Sequence, residues 1–111
     1  MAVINQYKFE GKDNDTTGNA LNPFGTGNPK VNETYIIKSI LVTSASTPTV
    51  TVTNNSITAI KSAALTADTT KELLTQPLIV EGGTTLTIQS SNTGSFDFGV
   101  SYLNILKEKI D

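Results

Sequence analysis

Near the start of the chain Asp13, Asp15 and Thr17 alternate and Gly18 follows. This is the first half of a calcium loop, in which alternate side-chain oxygens meet the cation and the glycine permits the sharp turn. The twelfth position, where a bidentate Glu should stand, is Phe24, and no helical pattern flanks the segment, so a solvated turn rich in Asn and Asp is the better account. No metal ligand and no cofactor-binding residue is assigned. A glycosidase would need two inward-facing carboxylates about 5–9.5 Å apart, whereas Asp68, Glu72, Glu81 and Asp97 fall in turns or at polar strand positions that solvation explains. Three sequons, at Asn14, Asn32 and Asn54, are what a chain this rich in Asn, Ser and Thr carries by chance. Tyr7, Tyr35 and Tyr102 could form a stacking platform for a sugar, but Tyr102 continues the row of Phe96 and Phe98 and reads as core.

The 111 residues include no His and no Cys. That removes Ser-His and Cys-His nucleophiles, the usual zinc ligand sets, disulfides and a histidine switch together. No catalytic constellation remains, and the expectation is a protein that is not an enzyme. All basic residues are Lys, and the net charge is −2, so there is neither a phosphate-attracting field nor a guanidinium fork; no nucleic acid is expected as partner. The first residues lack a basic segment followed by an apolar run, and no stretch approaches the ~20 apolar residues that span a bilayer. No membrane is expected, and synthesis as a soluble cytoplasmic protein is.

A chain of this length predicts one domain, able to bury roughly 60–65% of its unfolded surface. Residues 1–32 read as an extended N-terminal arm and loop, with Val3, Ile4, Tyr7, Phe9, Leu21 and Phe24 as its apolar points, and residues 33–111 as the domain. Within the arm, 11–32 is a connection of about 20 residues dense in Gly, Asn and Pro, which predicts a functional or mobile segment. Two arrangements are open for its beginning: an arm that grips a partner through those six residues, or an edge strand at residues 7–10 added to the same sandwich.

From residue 34 onward the pattern is strand after strand. Residues 34–43 are rich in β-branched side chains, and either Ile37 and Leu41, or Ile36, Ile40 and Val42, face the core. Residues 49–53 alternate with Val50 and Val52 inward, and Asn54-Asn55 supplies a tight turn. Residues 56–65 could be read as a helix from their alanines, but the preceding turn and Ile57, Thr58 and Ile60 favour a strand with a bulge or bend near Ala63. Short strands are expected at 71–74 and 78–80, and 77–106 reads as a closing hairpin with Leu86, Ile88, Phe96, Phe98, Val100 and Tyr102 on the core face. The tail 107–111 is charged. Together these elements predict an all-β chain, a single-domain antiparallel β-sandwich of seven to eight short strands, jelly-roll or immunoglobulin-like.

Two stretches, 35–43 and 72–105, carry the segments IIKSILVT, ELLTQPLIVEGGTTLTIQSS and FDFGVSYLNI. In these the chain resembles small virion proteins of tailed bacteriophages that share an "IIKSI.V" strand, an "LL..PLVLE.GD.L.VQAS" segment and a "V.VSYLEI" strand, with Gly83 and Asn104 standing where that family often has Asp and Glu. The resemblance implies a non-enzymatic structural role in the virion, most simply a decoration or cement protein on the outer capsid shell. It implies the major capsid protein or another virion protein as partner, and a homo-oligomer, trimers included. A neck, tail or fibre component and a carbohydrate-binding module are the alternatives. Residues 39–60 contain no charged residue. Such depletion fits a surface covered by a partner as well as it fits an ordinary Thr-rich sandwich face.

Overall fold

A computed structural model describes residues 3–15, 18–91 and 95–107. Eight strands follow in order: β1 (Val3–Asp15), β2 (Glu33–Ser44), β3 (Thr49–Asn54), β4 (Ile57–Ala64), β5 (Lys71–Glu72), β6 (Leu78–Glu81), β7 (Leu86–Ser90) and β8 (Phe96–Lys107). Every pairing among them is antiparallel. One sheet has the order β1-β8-β2, with β5 and β6 sharing the far edge of β2, and the other has the order β4-β3-β7. Between β1 and β2, Leu21 forms an isolated bridge with Ile88 of β7, exchanging hydrogen bonds of 3.0 and 2.9 Å. The last strand thus lies between the first two, which the immunoglobulin order does not provide. The arrangement is a jelly roll whose second strand is reduced to the Leu21 bridge and whose sixth is split into β5 and β6.

The two sheets close on one core, in which Tyr35, Ile37, Ile40 and Val42 of β2, Val50 and Val52 of β3, Leu86 and Ile88 of β7 and Phe96, Phe98, Val100 and Tyr102 of β8 are buried. The alternation read from β3, β7 and β8 is therefore the core alternation. In β2 neither of the two parities holds throughout. Tyr35 and Ile37 point inward, the register shifts between Ile37 and Ser39, and Ile40 and Val42 then point inward. An extra residue in one strand flips the facing pattern of everything after it, so both apolar sets contribute to the core.

The reading of 77–106 as a closing hairpin is overturned. β7 pairs with β3 and β8 with β1 and β2, so the connection between them crosses from one sheet to the other. The physical reason is that period-2 alternation reports one buried face and not the partner. Two strands facing each other across a sandwich satisfy it as well as two strands side by side. The β3–β4 hairpin does form, with Asn55 and Ser56 as turn residues at φ of 51° and 65° and Asn54 paired with Ile57. β4 bends where expected: its register slips between Ala63 and Ile60, and Ser62 stands at φ 51° with its backbone N–H donating to Thr51 Oγ1 at 3.1 Å.

The connection leading into β2 is laid against the domain. Phe24 packs edge-on to Tyr35 and Tyr102, with ring centroids 4.7 and 4.8 Å apart, and closes that end of the core. Asn22 and Asn28 hold the surrounding turns: the Phe24 N–H donates to Asn22 Oδ1 at 2.9 Å and Asn28 Nδ2 donates to the Phe24 carbonyl at 3.0 Å. The carbonyls of Lys30, Val31 and Glu33 crowd the Cα of Gly82, leaving no room there for a side chain.

Candidate interaction surface

β1 pairs with β8 from Val3 to Asp15, so the beginning of the chain is an edge strand, longer than the 7–10 segment weighed above. Its pairing sets Tyr7 opposite Leu103 and Phe9 opposite Ser101. Because Phe96, Phe98, Val100 and Tyr102 face the core, Leu103 and Ser101 face away from it, and Tyr7 and Phe9 with them. The same outward row continues through Ile36 of β2, opposite Leu103, to Ile79 of β6, opposite Ile36. Tyr7, Leu103, Ile36 and Ile79 thus cross four strands in one line on the outer face of the larger sheet. Beside that line Phe9 lies on the Cα of Gly99, where any side chain would collide with its ring, and Leu41 stands opposite Gly99 on the other side.

The two ends of this row and the residues beside it are open, and its middle, Leu103 and Ile36, is half-buried. Tyr7 is 80% exposed, Phe9 64%, Ile79 45% and Leu41 39%. Charge surrounds the aromatic line: Glu81 is opposite Thr34 at one end, Asp97 opposite Thr43 at the other, Glu72 of the edge strand β5 is opposite Leu41, and Lys38 stands at the β2 bulge. Glu72 is itself tied down. Its carboxylate accepts hydrogen bonds from the Ser39 hydroxyl, from the Ile40 N–H at 2.8 Å and from the Leu74 N–H at 3.1 Å. An apolar, aromatic centre with charge at the rim is the composition of a protein interface. The outer face of the smaller sheet differs: Thr49, Thr51 and Thr53 of β3 lie beside Gln89 and Thr87 of β7. The uncharged stretch 39–60 is therefore divided between both sheets and does not form one surface.

The six apolar points of the first 32 residues do not act together. Tyr7 and Phe9 are exposed on the outer face, whereas Leu21 and Phe24 are half-buried and pack on the core. Leu21 is drawn in by its bridge to Ile88, and Phe24 by the two tyrosine rings. Val3 and Ile4 lie in β1, and their side chains are outside the described residues. Ile36, Leu41, Ile79, Leu103 and Ile105 were not singled out from sequence as surface residues. The signal was present in the two-sided apolar pattern of β2 and in Leu103 and Ile105 out of phase with Tyr102.

The remaining candidates disperse. Asp13 lies in β1, the side chain of Asp15 and the whole of Thr17 are outside the described residues, and among the described residues no three His, Cys, Asp or Glu converge. Tyr35 and Tyr102 are buried side by side, with centroids 4.7 Å apart, while Tyr7 stands on the outer face, so the three share no platform. Burial pushes the Tyr102 hydroxyl well above its ordinary pKa, with Glu10, Tyr35 and Glu33 adding to it. Tyr35 is raised by burial first and then by Glu33 and Glu10. Of the acids, Asp68 stands in a turn at φ 58° and Asn54 of the third sequon donates from Nδ2 to the Ile79 carbonyl at 2.7 Å. Compared with known proteins, the chain matches no family model and no curated protein.

Proposed function

We propose that the chain is a non-enzymatic structural protein of a tailed-phage virion that binds the outer capsid shell as a decoration or cement protein, through the outer face of its larger sheet. The observation that carries the adhesive role is the uncharged line of Tyr7, Leu103, Ile36 and Ile79 across four strands, with Phe9 and Leu41 beside it. The phage setting rests on the resemblance of IIKSILVT, ELLTQPLIVEGGTTLTIQSS and FDFGVSYLNI to small virion proteins. The mechanism is mass action. A protein that binds assembled shell and not free subunits stabilises the shell, and repetition over many equivalent sites multiplies a modest affinity.

Capsids assembled without the protein test this by co-sedimentation. Ile79→Asp and Tyr7→Asp place a charge in the apolar face at exposed positions, so the fold is kept and shell binding falls by about 10-fold or more. Equal binding of wild type and both variants, or no binding by the wild type, overturns the reading.

A further inference from the structure

The outer edge of β1 has no strand beside it among the described residues, since β1 ends the sheet order and pairs only with β8. Both of its faces are open: residues 5–13 are exposed without exception. A long exposed edge with two exposed aromatics is a template for another strand, and the question is which strand fits. We propose that this edge pairs antiparallel with the β1 edge of a second copy of the chain, about a two-fold axis beside Phe9. This inference does not depend on the phage reading.

Symmetry limits the choices. A two-fold axis normal to the sheet keeps each residue on its own face, so it must pass beside a residue that then meets its own copy. Centring on Lys8 or on Glu10 sets like charges directly opposite each other, which is unfavourable. Centring on Tyr7 sets Lys8 against Gln6 and Glu10 against Ile4, so neither charge meets an opposite. Centring on Phe9 sets Lys8 against Glu10 of the second copy and Glu10 against its Lys8, on the same face as each other, with Phe9 against Phe9 on the other face. Tyr7 then faces Gly11 of the second copy, an aromatic over a glycine, as Phe9 already lies over Gly99 within the chain. Inward-pointing charges on an edge strand ordinarily block pairing. Centring on Gly11 also sets Glu10 against Lys12, but it places Phe9 opposite Asp13 and brings the irregularity between Lys12 and Asp15 next to the axis, so the Phe9 register is the one in which the charges complement each other along regular strand.

Charge exchange and cross-linking test the proposal. By sedimentation up to about 1 mM, the wild type forms a reversible dimer. Lys8→Glu and Glu10→Lys each weaken it by about 10-fold, because two attractive pairs become repulsive. The double variant Lys8→Glu/Glu10→Lys recovers the dimer, and an equimolar mixture of the two single variants forms the mixed dimer in preference. Because the chain has no cysteine, single substitutions to Cys at Tyr7, Lys8, Phe9 and Glu10 read the register directly, and Phe9→Cys gives the fastest disulfide dimer. A wild type that stays monomeric or forms trimers, a double variant as weak as the single ones, or faster cross-linking at another of the four positions overturns it.

Discussion

The backbone N–H of Ile40 donates to the Glu72 carboxylate at 2.8 Å, and this bond seals the place where β2 changes face. The bulge between Ile37 and Ser39 lies against β8; on the opposite side of β2 the pairing with β6 stops at Ile37 and that with β5 starts at Leu41, and across this gap the carboxylate serves as acceptor for the Ile40 N–H and for the Ser39 hydroxyl. Partial burial alone would raise the Glu72 pKa, but bonds from Ser39 and from the N–H groups of Ile40, Leu74 and Leu73 outweigh it and hold the carboxyl below its ordinary 4.5. A depressed folded pKa means stability that is present above the unfolded value and lost as pH falls through the folded one. Denaturation at falling pH should therefore show the wild type losing stability below 4.5 more steeply than Glu72→Gln. At neutral pH Glu72→Ala should cost about 1–3 kcal/mol by leaving the Ile40 N–H unpaired.

At the alkaline end the sign is opposite. Tyr102 and Tyr35 are raised above 10.0, so they favour the folded state while neutral, and that contribution is lost as pH rises past the unfolded value. Tyr102→Phe keeps the ring beneath Phe24 and removes the ionisable hydroxyl. Its melting temperature should fall less than that of the wild type between pH about 9 and 11, and parallel curves would contradict the assignment.

Two glycines hold β1 to β8 in different ways. A side chain at Gly11 overlaps the Phe98 carbonyl oxygen and comes within 3.0 Å of the Gly99 Cα, both backbone atoms that cannot yield. The three atoms nearest to a side chain at Gly99 all belong to the Phe9 ring, which can swing into solvent. Gly11→Ala should therefore cost about 1–3 kcal/mol and Gly99→Ala under about 1 kcal/mol. Thermal melts rank the two, and amide exchange along β1 shows whether the strand detaches.

Phe96 is 1% exposed and stacks on Phe98 with centroids 5.7 Å apart, whereas Tyr7 is 80% exposed. Phe96→Ala should cost about 3–5 kcal/mol, and Tyr7→Ala about 0.5 kcal/mol or less. A reversed order in chemical denaturation would mean that β8 turns its other face inward.

The core was legible wherever one face of a strand is apolar and the other is not, as in Val50 and Val52 or in Leu86 and Ile88. It was ambiguous in β2, because a one-residue bulge lets Ile37 and Ile40 both point inward, and the acceptor that stabilises the bulge, Glu72, is far along the chain. Strand partners were legible only at the β3–β4 hairpin, where Asn54-Asn55 marks the turn. The alternation of 86–90 and 96–102 specifies a buried face but leaves open whether the two strands adjoin or oppose each other. For the surface, Tyr7 and Phe9 could be named from sequence, but their alignment with Leu103, Ile36 and Ile79 depends on three registers set by long-range pairing. Leu21 and Phe24 look like Tyr7 and Phe9 in composition, and only the bridge to Ile88 and the two tyrosine rings turn them inward.

The most direct test of the central claim is an electron-microscopy map of phage particles purified from cells that produce the chain. The account predicts the jelly roll in many copies on the outside of the shell, with Tyr7, Leu103, Ile36 and Ile79 turned toward the capsid protein. Particles that lack the chain, a single ring of it at the neck or tail, or copies on the shell with that face turned to solvent would contradict it.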